Sequence, residues 1–420
     1  MSVRDQAAVS RGQSLFDFSS WLPGDKRILR DTGQGDARGI YFQCRACEEL
    51  IGRDELMSIS TVPNSDMPPL RSSHSTSFPI LLKELGLSVF VTTYQAGKLV
   101  MLRAEGELLN THFRGFSSPM GLAIDDHRLA MGTPGHVWLF QNVPAVGRRR
   151  EPEGRLDACY LPRSSHCTGN ILVHEMAWSG DELWIVNTRF SCLCTLDRFH
   201  SFVPRWKPPF VTALAPEDRC HLNGVGLRDG RPRYVTMHGQ ADSPAGWREH
   251  KAQGGVLMDV SCNEIINSSL SMPHSPRWHN GQLWVLESGA GKVGVIDSRT
   301  GRFETVASLP GFTRGLDFYG DYAFIGLSQV RETAVFSGID ITDRLSERSC
   351  GVWVLNVTTG QTVAFVKFED AVQEIFAVQV LQGFRFPDVI NDDETLIADS
   401  FVLPDDALGD VPVALRQVVR

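Results

Sequence analysis

PRWHNGQLWVL (276–286) reads as an apolar segment, a tight polar turn and a second strand, and that reading decides the fold. Asn280-Gly281 is a dipeptide that accepts positive φ at both central positions, as a two-residue primed hairpin turn demands. The Leu, Trp and Val after it suit a pleated, half-buried strand. The same unit returns at MGLAIDDHRLAM (120–131), MAWSGDELWIV (176–186), GVGLRDGRPRYVTM (224–237) and GLDFYGDYAFIG (315–326). Its turns are Asp125-Asp126, Gly180-Asp181, Asp229-Gly230 and Gly320-Asp321. Outer hairpins recur as well, at Thr300-Gly301 and Thr359-Gly360.

Unit starts at Pro119, Glu175, Asn223, Ser275, Arg314 and Ile375 lie roughly 40–60 residues apart, the spacing of propeller blades with four strands each. Six starts predict six blades. The last, QEIFAVQVL (373–381), has no outer strands after it, only RFPDVINDDE (385–394) and a tail. Conversely SVFVTTYQ, GKLVMLRAE and GELLNTHFRGF (88–116) are three strands without an innermost partner. Pairing 374–381 with 88–95 completes one blade from both chain ends and leaves no open sheet edge in the ring. The expected fold is an all-β, six-bladed β-propeller over residues 77–400. It is preceded by an irregular arm and linker over 1–76 and followed by a tail over 401–420. One helix is expected before the first strand, with Ser77 as its cap, Leu81, Leu82 and Leu85 on one face, and Gly86 ending it.

The chain has 420 residues, 42% hydrophobic and 21% charged, as an ordinary globular protein has. Its 41 basic and 49 acidic residues leave a net charge of −8, so no nucleic-acid partner is expected. No apolar run is long enough to span a membrane, and MSVRDQAAVSRGQSLFDF (1–18) lacks the apolar core of a secretory signal. Nine cysteines are an odd count without a disulfide-scaffold spacing. A cytoplasmic protein is expected. Cys44 and Cys47 form a lone CxxC with no second ligand pair, read as reduced thiols in the arm.

In a propeller the residues just before each innermost strand sit at one mouth of the channel, and the loop after the second strand opens on the same face. Those positions hold His174 and Glu175, His221 and Asn223, His274, Arg314 and Glu374. The second loops add Tyr94, Gln95, Asn187 and His238. Three histidines at matching places in successive repeats suit a divalent transition ion such as zinc, iron or copper, because neutral imidazole is its common ligand. His221 stands one residue out of step, which would turn it away along a strand but not in a loop. Arg314 can clamp an anion or neutralise Glu175 and Glu374. Glu374 can serve as general base, as a ligand or as an ion-pair partner. Weaker constellations are His166 with Cys167 in a loop, and Cys192 with Cys194 packed on one strand face.

TTYQAGKLVML (92–102), MPHSPRWHNGQLWVLESGAG (272–291), PGFTRGLDFYGDYAFIGLS (310–328) and EIFAVQVLQGFRFPDVI (374–390) resemble a bacterial family of conserved hypothetical proteins. That resemblance covers roughly residues 80–400; it implies a propeller and supplies no reaction. The blade pattern is more distantly similar to propellers of the gluconolactonase and strictosidine-synthase kind. Gluconolactonases hold an axial ion with carboxylates and amides, whereas several equivalent positions here are His or Arg. The peptide α-amidating lyase, also six-bladed, holds zinc with three histidines from different blades; that parallel is one of architecture alone.

Two functions are therefore expected to compete. One is a metal-dependent enzyme with His174, His221 and His274 as ligands. In it Glu374, Arg314, Tyr94 and Glu175 are catalytic, and Asn223, His238, Gln95 and Asn187 hold a small anionic or peptide-like substrate. The other is a scaffold that binds a protein or peptide partner across the same mouth.

Overall fold

A computed structural model describes residues 70–150, 154–330, 337–398 and 400–412. Cys44, Cys47 and nearly all of the arm lie outside the described residues. Asn280 and Gly281 take φ of 48° and 77°, and Asp229 and Gly230 take 54° and 71°. These are the paired left-handed positions of a primed turn, whose twist matches the strands it joins. The hairpins stack into six sheets of four or five strands.

The innermost strands are Leu122–Ile124, Val173–Ser179, Leu222–Arg228, Pro273–His279, Phe312–Tyr319 and Ala377–Gln382. We number the first five as blades one to five and call the last the closing blade. Each innermost strand touches the next, and the sixth touches the first, so the sheets form a ring. The protein is a six-bladed β-propeller. Closure follows the expected pairing: Leu87–Thr92 runs antiparallel to Ala377–Gln382, from Leu87 opposite Gln382 to Thr92 opposite Ala377. Thr92 bridges to blade one, since its hydroxyl donates to the Met120 carbonyl at 2.6 Å and accepts from the Ala377 N–H.

Both ends of the described chain carry a strand that periodicity did not reveal. Ser72–His74, counted in the linker from sequence, pairs with the outer strand Gln361–Phe368 of blade five. Pro387–Val389, within the stretch RFPDVINDDE to which no strand was assigned, pairs in parallel with Ala158–Gly169 of blade one. Three residues are too few for an alternating pattern to register, and both strands cover sheet edges.

The helix spans Ser77–Leu85 and ends at Gly86 with φ of 65°. Its cap is Thr76, and Ser77 instead donates its hydroxyl to the Val363 carbonyl and lies 2.9 Å from the Ser75 hydroxyl. Phe78 and Leu82 are buried with Val89, Val352 and Phe368 across two blades. The recurring tryptophans pack between blades: Trp284 and Trp353 are buried with Leu286, Leu316 and Ile325. Trp138 and Trp184 lie partly buried against neighbouring clusters. This apolar layering holds the ring together, and truncating such an aromatic costs about 3–5 kcal/mol.

Candidate functional site

The strands that open the mouth are not regular. In blades two to five the pairing of the first two strands slips at the mouth end, at Val173/Asn187, Leu222/Gly224, His274/Arg277 and Thr313/Leu316. A bulge of this kind re-aims side chains, and bulges gather beside active sites. His221 precedes its strand with φ of 51°, so being out of step in sequence does not turn it away.

Four imidazole rings meet there. His174 lies 5.0 Å from His221 and 5.9 Å from His274, between ring centres. His238 lies 4.4 Å from His221 and 5.0 Å from His274. The expected trio thus converges, with His238 as its fourth member.

Hydrogen-bond partners fix the tautomers of three rings. The Thr188 hydroxyl donates to the Leu222 carbonyl, so at 3.1 Å it accepts from Nδ1–H of His174. The Asp218 carboxylate accepts from Nδ1–H of His221 at 2.8 Å. The Met272 carbonyl accepts from Nδ1–H of His274 at 3.0 Å, with the Ser288 hydroxyl 2.9 Å from the same nitrogen. In the neutral ring each then keeps its lone pair on Nε2. His238 is different: it is 2% exposed and neither ring nitrogen has a partner. Burial, then the positive Arg314, holds His174 and His274 well below the usual imidazole range. Burial and the facing rings do the same to His238. All three are neutral at pH 7.

Arg314 reaches into this ring. Its Nη2–H donates to Nε2 of His174 at 2.8 Å, and Nη1 lies 3.4 Å from Oε1 of Glu374. Its guanidinium carbon stands 3.6 Å from the centre of the Phe376 ring. Nε is buried without a partner. Burial lowers the Arg314 pKa, and Glu374 and Tyr94 oppose that shift. Tyr94 packs its ring 5.8 Å from Phe376.

The other expected residues divide. Asn187 and Asn223 are buried; their side-chain oxygens accept from Phe190 N–H and the Thr236 hydroxyl, and their Nδ2 groups are unpartnered. Gln95 is exposed on the turn after Tyr94. Glu175 faces away from the rings: its carboxylate accepts from Val225 N–H and pairs with Arg277, joining blades two, three and four. His166 bonds the carbonyls of His200 and Ser201, not Cys167. Cys192 and Cys194 are both buried, as their shared strand face predicts.

Three site residues escaped the sequence reading. Asp218 holds His221, and Trp247 donates its indole N–H to the same carboxylate at 3.1 Å while packing 4.5 Å from His221. Phe376 packs 4.8 Å from His174. Asp218, three residues before His221, was the one with a visible cue. Among the described residues, no group of three or more His, Cys, Asp or Glu side chains is arranged, as it stands, to hold a metal ion.

Fold and mouth together define a six-bladed propeller with a buried, histidine-rich polar site. Residues 76–390 match a domain of unknown function, DUF4915, and the chain belongs to that family. No curated protein matches. Among solved structures it is similar to a chain of a nidogen/laminin complex, at 9% identity and a TM-score of 0.44, over 71% of this chain and 99% of that one. It is also similar to a protein of unknown function from Bacteroides caccae, at 9% identity and a TM-score of 0.43, over 70% and 98%. The expected likeness to gluconolactonase-type propellers finds no support in these comparisons. Among the described residues no helix is long and apolar enough to cross a membrane.

Proposed function

We propose that the histidine mouth is an active site that depends on a divalent transition ion, zinc, iron or copper, and takes a small anionic or peptide-like substrate. One observation carries this reading. His174, His221 and His274 each anchor Nδ1–H on a hydroxyl, a carboxylate or a carbonyl and keep Nε2 as the lone-pair nitrogen. Ligating imidazoles are held in this way, because the outer hydrogen bond fixes the ring and raises its basicity. The burial that keeps His174 and His274 neutral favours the same role, since a protonated ring cannot ligate.

The donor set fits such an ion with one adjustment. Either Arg314 leaves Nε2 of His174, or the ion takes His238 in place of His174, and both nitrogens of His238 are open. A bound ion would supply Lewis acidity to a substrate oxygen or to water. Around it Glu374, partly exposed beside Arg314, is placed to accept or return a proton. Tyr94 and Phe376 wall the Arg314 side of the site. Glu175 stands outside this chemistry as a blade-joining ion pair.

Metal analysis of tag-free protein after supplementation tests the reading. The expected result is one transition ion per chain, lost in His221→Ala and His274→Ala. Loss in His174→Ala but not His238→Ala would place the ion on the first set, and the reverse on the second. Wild-type protein that stays metal-free would overturn the reading and leave the mouth as a surface for a protein or peptide partner.

A further inference from the structure

Arg314 is a buried cation whose charge is poorly met. It is 9% exposed, its nearest carboxylate is 3.4 Å away, and it also meets a neutral imidazole and the face of Phe376, with Tyr94 nearby. A guanidinium carries five N–H donors, and charge-assisted bonds to carboxylate are normally about 2.7–2.9 Å long. Nε–H has no partner at all. The buried amide groups of Asn187 and Asn223 at the same mouth are likewise donors without acceptors. Each such group costs free energy unless something accepts from it. The unmet chemistry is thus dominated by N–H groups, and the ligand that completes it must bring oxygen acceptors with negative charge.

We propose that Arg314 is the receptor for an oxyanion of the substrate, a carboxylate or a phosphate, and that Glu374 is its stand-in. The incoming oxyanion takes the Nη1–H that Glu374 now holds at long range. Glu374, with 29% of its side chain exposed, swings toward solvent and is freed for proton transfer. Phe376 stacked on the guanidinium keeps its plane fixed, so the exchange needs no movement of the arginine. This deepens the active-site reading by naming the substrate class, and it does not depend on the metal.

Calorimetric titration of full-length protein in excess chelator separates the two. The probes are inorganic phosphate and succinate. The expected result is saturable binding of at least one of them; which one binds tighter identifies the source of the oxyanion. Arg314→Gln should weaken it at least about tenfold, the loss of one charge-assisted hydrogen bond. Glu374→Gln should tighten it about three- to tenfold, because a competitor is removed. That second variant keeps the test intact if Arg314→Gln fails to fold. No binding of either probe at about 10 mM, unchanged affinity in Arg314→Gln, or weakened affinity in Glu374→Gln would each overturn the proposal. Oxyanion binding by protein that also stays metal-free after supplementation would sink the metal reading alone.

Discussion

The two ends of the propeller channel are built from the same strands and treat their polar groups in opposite ways. Below the mouth, toward the end where the innermost strands finish in two-residue turns, the channel carboxylates are used up. Glu175 accepts from Val225 N–H and pairs with Arg277, and Asp317 accepts from Val380 N–H. Both link one blade to another. At the histidine end nine of the twelve described non-glycine residues with positive φ gather: Tyr94, Ser118, Leu172, Ser191, Asp218, His221, Ala245, Met272 and Ser275. Among the described residues, seven of the fourteen buried, unpartnered polar atoms belong to Asn187, Arg189, Asp218, Asn223, His238 and Arg314.

Backbone strain and unmet hydrogen bonds both cost stability, and neither is needed to close a ring that the far end closes without them. The difference teaches where function lies. A cavity of about 520 Å³ lies at the far end, lined by Trp178, Trp278, Arg277 and Asp317. Its charged groups already serve each other, whereas those of the mouth do not.

The largest expected effect concerns what both ends share. A chain ending at residue 371 lacks the strand Ala377–Gln382, so Leu87–Thr92 loses its partner and blades one and five lose a neighbour. It should not fold, and soluble monomer with a cooperative melt would break the closure account. Next comes the far end. Arg277→Ala strands the buried Glu175 carboxylate and should cost about 3–5 kcal/mol by denaturant melts. Metal content per folded chain should not change. If instead stability held and metal were lost, the division between the ends would be wrong.

The mouth is sharper in pH than in stability at neutrality. His174, His238 and His274 have folded pKa values well below the ordinary 6.5, so the unfolded chain binds more protons below that pH. Chelated protein should therefore keep its full stability above about pH 6.5 and lose it as the pH falls. Each such ring contributes up to about 1.4 kcal/mol per pH unit until its folded pKa is reached. His238→Asn should remove one proton from that slope. An unchanged slope would mean that the ring is not buried neutral. The smallest effect is on stability at pH 7: His221→Ala should cost about 1.5–3 kcal/mol, the worth of a hydrogen bond to a charged group.

Much of the ring was legible because it repeats. Primed-turn dipeptides recur on the same strand pattern, and the matched deficits at 88–116 and 373–381 announce the closure. His174, His221 and His274 were found by their place in the repeat, and His238 by the loop after the second strand. What did not repeat was hidden. Asp218 and Trp247 sit in connections that no other blade copies, and their contacts with His221 depend on a left-handed backbone at His221 and Asp218. Phe376 reads as one more apolar strand residue, yet the strand begins at Ala377 and leaves that ring at the mouth. Glu175 misled because its neighbour in sequence is His174, while its side chain leaves for Arg277.

The most direct test is X-ray absorption on tag-free protein supplemented with zinc, joined to anomalous diffraction at the zinc edge. The account predicts one ion at the histidine mouth with at least three imidazole nitrogens at about 2.0–2.1 Å. Its ligands should include Nε2 of His221 and of His274. No anomalous peak at the mouth, or one bound only at surface residues elsewhere, would contradict it.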